Sequence, residues 1–80
     1  MTREQIEKQV VEIVCDQLGV RKTYVTTEKS VQDDLGADLL DVVEIMMTLE
    51  EHFNIDIPCD VSETLTTVGK IIDYLQARGV

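Results

Sequence analysis

The chain has no tryptophan, and its aromatic residues are only Phe53, Tyr24 and Tyr74. Aliphatic side chains must therefore supply most of the buried surface, and with 80 residues the core must be efficient. No apolar run approaches the ~20 residues of a membrane span. A basic-then-apolar leader is also missing at the start. A single domain spanning residues 1–80, cytoplasmic and without a membrane span, is the expectation.

Cysteine is sparse. Cys15 and Cys59 lie far apart and form no C-x-x-C pair. Two unpaired thiols in a reducing compartment are expected. A metal site combining them with His52 lacks ligand spacing, and the carboxylates lack the spacing of a calcium loop, so no metal is expected. No nucleophile–base pair stands out, and no enzyme activity or catalytic residue is expected.

The most consequential absence is of positive charge. Between Ser30 and Gly69 there is no lysine or arginine, in a chain of net charge −9. The same stretch carries Asp33, Asp34, Asp38, Asp41, Glu44, Glu50, Glu51, Asp56, Asp60 and Glu63. Nucleic acid is excluded as a partner, since phosphates would meet a negative surface and release no counterions. A basic protein surface is the natural complement, with charge steering the encounter.

What is present reads as helix. Thr2 and Gln5 have the spacing of a capping box, and Ile6, Val10, Ile13, Val14 and Leu18 recur at helical intervals, widened by Val11 and Cys15. The spacing predicts a first helix over Arg3–Leu18, stopped by Gly19. A long polar connection from Val20 to about Ala37 follows, too irregular for a strand or regular helix. Val25, Val31 and Leu35 are expected to anchor it, and Gly36 suits a left-handed turn.

Asp38 is placed to cap a second helix, and Asp41 to complement its dipole. Val43, Met46, Met47, Leu49 and Phe53 give that helix an apolar face, with Ile45 widening it and Glu44, Glu50 and Glu51 on the polar side. Asn54 and Pro58 end it. A short turn of helix fits between Cys59 and Leu65. Thr66 or Thr67 caps a last helix turning Val68, Ile71, Ile72 and Leu75 inward. The expected fold is all-α: a small four-helix bundle of three longer helices and one short one.

Three segments carry a resemblance. DLGADLLDVVEIMMTLEEHFNIDIP (Asp34–Pro58), DQLGV (Asp16–Val20) and LTTVGKIIDYL (Leu65–Leu75) together resemble bacterial acyl carrier proteins of the fatty-acid type, over nearly the whole chain. The resemblance implies 4'-phosphopantetheine as cofactor, attached to a serine by a holo-synthase. It also implies a monomer that presents acyl groups to fatty-acid-synthesis enzymes through basic surfaces on those partners. Leu39 occupies the serine position, flanked by Asp38 and Leu40. Leucine has no hydroxyl, so no cofactor is expected on this chain as written.

By the same resemblance, Asp38, Leu40, Asp41, Val43, Glu44, Met47, Glu50, Glu51 and Ile57 match partner-facing positions. His52 stands where the family often has an acid. An engineered replacement, a natural inactive paralogue and an error in the sequence are the explanations open for Leu39. The other reading open at this point is a non-carrier acidic interaction module that docks on a basic partner without acyl cargo.

Overall fold

The three longer helices each begin on a side-chain cap that the sequence supplies. The computed structural model covers residues 1–80 and contains α1 (Arg3–Leu18), α2 (Leu39–Phe53), α3 (Cys59–Ser62) and α4 (Val68–Ala77). Thr2 and Gln5 close the predicted capping box, and Gly19 ends α1 at φ +68°, its N–H donating to the Cys15 carbonyl. Thr67, of the two candidates, caps α4 by accepting the Lys70 N–H. Asn54 ends α2 in a left-handed conformation, which asparagine tolerates better than branched residues do.

Helix α1 packs against both α2 and α4. The core between them is wholly apolar, with no polar or charged residue buried. Ile6, Val10 and Val14 of α1, Ile45 and Leu49 of α2, and Val68, Ile71, Ile72 and Leu75 of α4 have no exposed surface. Each such side chain contributes about 1.5–3 kcal/mol by leaving water. Val11, Ile13 and Leu18 pack on the margin of this core.

The long connection is more ordered than its sequence indicates. A short 3₁₀ turn forms at Lys22–Tyr24, where an irregular loop was expected. Val25, Val31 and Leu35 anchor the connection in the core as expected. Its end is tied to the start of α4 by backbone bonds: Val31 N–H to the Thr66 carbonyl (3.0 Å) and Val68 N–H to the Lys29 carbonyl (3.1 Å). These tertiary bonds satisfy the loop backbone without a strand. The loop therefore delivers Gly36, at φ +77°, and the start of α2 to a fixed place.

Helix α2 corrects one expectation. Ile45, Met46, Leu49 and Phe53 face inward, but Val43 and Met47 do not, standing 53% and 54% exposed. Its apolar arc is wider than the core can cover, and the surplus faces solvent.

Candidate functional site

Two carboxylates close the start of α2 on each other. Asp38 accepts the Asp41 N–H at 2.8 Å, and Asp41 accepts the Asp38 N–H at 3.1 Å. Asp41 thus completes a reciprocal box as well as facing the positive end of the helix dipole. Leu39 is the first residue beyond the cap and is 76% exposed. It does not fold onto the core. Leu40 beside it is exposed too, and with Val43 and Met47 forms an apolar row along the solvent side of α2.

Acids border that row. Asp38, Glu44 and Glu51 are exposed. The chain's two ion pairs, Arg3–Asp73 (2.7 Å) and Lys22–Glu12 (3.3 Å), both lie elsewhere. Gln17 of α1, which nothing in the sequence singles out, donates its side-chain amide to Glu44 and, at 3.4 Å, to Asp41. It holds two carboxylates on one face without neutralising either.

Two residues expected on this surface are turned to other work. Glu50 is half-buried, and its carboxylate accepts the Ile57 N–H at 2.9 Å. Ile57 is 6% exposed and belongs to the core. Both hold the segment after α2 in place rather than extending the exposed face. Residues seven apart on a helix and its following loop give no sequence signal for such a bond.

His52 contacts the Gln9 side-chain carbonyl through Nε2 at 2.6 Å and meets Phe53 edge-on. No hydrogen bond joins it to a thiol or hydroxyl. Cys15 is buried in α1, and that burial pushes its thiol pKa up. Cys59 is exposed, and both thiols are free.

Beside Leu39 opens a cavity of about 360 Å³, in the size range of small-ligand sites. Val31, Val42, Ile45, Met46 and Leu65 supply its apolar wall, with Cys59 and Ser62 at α3. The wall combines the long loop, α2 and α3, so no single segment announces it.

A family model described as a phosphopantetheine attachment site matches residues 8–75. The chain belongs to this family. Among solved structures it is similar to the acyl carrier protein from Enterococcus faecalis, known for high thermal stability, at 32% identity and a TM-score of 0.82. The match covers 96% of this chain and 98% of that one. The acyl-carrier fold expected from the sequence is thereby established, four helices and no strand.

The family's prosthetic group is 4'-phosphopantetheine. Leu39, which the sequence resemblance aligns with the attachment serine, offers no oxygen for a phosphodiester, so the residue present there does not fit the group. The hydroxyls of Ser30, Thr48 and Ser62 each make a local bond. Ser30 accepts the Asp33 N–H (3.1 Å), Thr48 donates to the Glu44 carbonyl (2.9 Å), and Ser62 donates to the Cys59 carbonyl (2.9 Å). None of the three belongs to the first turn of α2.

Proposed function

We propose that this chain is an acyl-carrier domain of fatty-acid or related acyl-chain biosynthesis that docks on partner enzymes but is not loaded at position 39. The whole chain acts as one domain, a monomeric cytoplasmic binding protein and not a catalyst. Asp38, Asp41, Glu44 and Glu51 meet basic partner surfaces, and Leu40, Val43 and Met47 meet the apolar floor between them. Partners are fatty-acid-synthesis-type enzymes and the holo-synthase.

The observation that carries this reading is the exposed face of α2. It combines unpaired carboxylates with an uncovered apolar row, the composition of a polar rim around an apolar centre. The cavity beside Leu39 supports an acyl chain as the cargo class of the family's loaded members. Glu50 and Ile57 support docking only indirectly, by fixing the end of α2.

Charge reversal tests the interface. Glu44→Lys and Glu51→Lys, together, are expected to weaken binding to a holo-synthase at least tenfold at low salt, with the difference shrinking as salt rises. Calorimetric titration of the folded variants reads this directly. Unchanged affinity would exclude the acidic face of α2 from the interface.

The absence of a hydroxyl at position 39 also favours a second reading, an interaction module that regulates a basic partner and never carries cargo. The two differ in the Leu39→Ser variant. A carrier whose single lesion is Leu39 gains the mass of one phosphopantetheine from coenzyme A and a holo-synthase, whereas a diverged module does not.

A further inference from the structure

Leucine at position 39 does more than remove an oxygen. Leu39, Val43 and Met47 follow one another at four-residue intervals, so they lie along one face of α2 as successive neighbours. Leu40 flanks this row, three residues before Val43. All four are more than half exposed. Elsewhere in the chain only Met1 and Tyr24 are large apolar residues with comparable exposure, and neither belongs to such a row. Scattered apolar residues need no explanation, but a contiguous ridge bordered by unpaired acids does.

Leu39 stands at the N-terminal end of the ridge and also at the edge of the apolar cavity. Its backbone is held by the reciprocal Asp38–Asp41 cap, so the side chain is offered from a fixed helix terminus rather than a loose loop. Little ordering would be required of it on binding. A serine there would leave the ridge one large side chain shorter and put a polar group at its end.

We propose that Leu39 is itself a docking anchor, and that the chain acts as a cargo-free competitor at sites that recognise acyl carriers. This rests on the reading that the acidic face of α2 meets a basic surface. The occupant of the ridge is a partner surface with lysine and arginine around an apolar floor. Charge complementarity selects it: α2 and the segments beside it carry no cation from Ser30 to Gly69. Charges on the rim set the rate of encounter, and the desolvated apolar centre sets the lifetime of the complex. A carrier domain that binds such a site with nothing to transfer occupies it without turnover. Replacing the modifiable residue by an apolar one thus removes cargo and lengthens residence together.

The test uses a phosphopantetheinyl transferase, coenzyme A and the Leu39→Ser variant of this chain as substrate. The unaltered chain is the inhibitor. It is expected to raise the apparent KM for the Leu39→Ser substrate while leaving kcat unchanged. Leu39→Ala should inhibit about tenfold more weakly, equivalent to ~1.4 kcal/mol. Leu39→Met, which keeps apolar bulk, should inhibit nearly as well as the unaltered chain. Circular dichroism verifies that each variant is folded.

Equal inhibition by Leu39→Ala and the unaltered chain would overturn the anchor. No competition by the unaltered chain, with Leu39→Ser still modified, would overturn the competitor role. These failures differ from failure of the underlying reading. In that case Glu44→Lys and Glu51→Lys placed in the Leu39→Ser substrate would not slow its modification. If Leu39→Ser takes no group at all, the carrier reading of the loop falls and the proposal falls with it.

Discussion

Replacing Glu50 separates what holds α2 in place from what the helix presents. The Glu50 carboxylate accepts the N–H of Ile57 at 2.9 Å, and its own backbone carbonyl accepts those of Asn54 and Ile55. One residue therefore closes α2 and fixes the segment that follows. In Glu50→Ala the Ile57 N–H loses its acceptor, at a residue only 6% exposed. A buried donor left unpaired costs about 1–3 kcal/mol.

Glu50 is half-buried, and water can partly take its place, so about 1–2 kcal/mol applies here. Each kcal/mol lowers the Tm of a domain this size by ~4–8 °C. Glu50→Ala is thus expected to melt about 4–16 °C below the unaltered chain. Glu50→Gln keeps a carbonyl oxygen that can accept the same N–H and should lose less than half as much.

Thermal melts followed by far-UV circular dichroism at pH 7 measure both, and hydrogen exchange at Ile57 reports the bond itself. An unchanged Tm for Glu50→Ala would refute any energetic role for the bond. Equal losses in the Ala and Gln variants would instead assign the effect to charge. Glu51→Lys, exposed and next in sequence, is the control and should shift stability by no more than ~0.5 kcal/mol.

Gly69→Ala in α4 should lower the urea midpoint even though alanine is the better helix former by ~1 kcal/mol. A Cβ there would stand 2.9 Å from the Thr27 carbonyl oxygen, which the Gly69 N–H already holds at 2.8 Å, and overpacking of this kind costs about 1–3 kcal/mol. A raised midpoint would refute the close approach. Iodoacetamide at pH 8 is expected to label exposed Cys59 rapidly and Cys15 only in denaturant; peptide mapping that finds Cys15 labelled in the folded protein would contradict its burial. Because burial raises the Cys15 pKa, the native state keeps that proton to higher pH than the unfolded chain does. Its contribution to stability is therefore present below the ordinary thiol range and declines as pH rises through the folded value.

The sequence by itself determined the four α-helices and most of their ends, but not the 3₁₀ turn at Lys22–Tyr24. Helical spacing and caps are local properties, so Thr2, Gly19, Asp38 and Asn54 could be placed before any contact was known, and the α4 cap narrowed to Thr66 or Thr67. The same holds for the α4 core face of Val68, Ile71, Ile72 and Leu75. That residue 39 carries no hydroxyl is likewise legible in the sequence itself.

Tertiary structure decided which side of an ambiguous arc is covered. Helical spacing shows that Val43, Met46 and Met47 share an apolar sector, but only packing against α1 decides that Met46 is buried and the other two exposed. The sequence likewise could not tell Glu50, bonded inward to Ile57, from Glu51, free at the surface. Gln17 reaching Glu44 and Gly69 pressed on Thr27 are meetings of distant segments, which no local pattern encodes. The cavity beside Leu39 is of the same kind, since three separate segments must converge before it has walls.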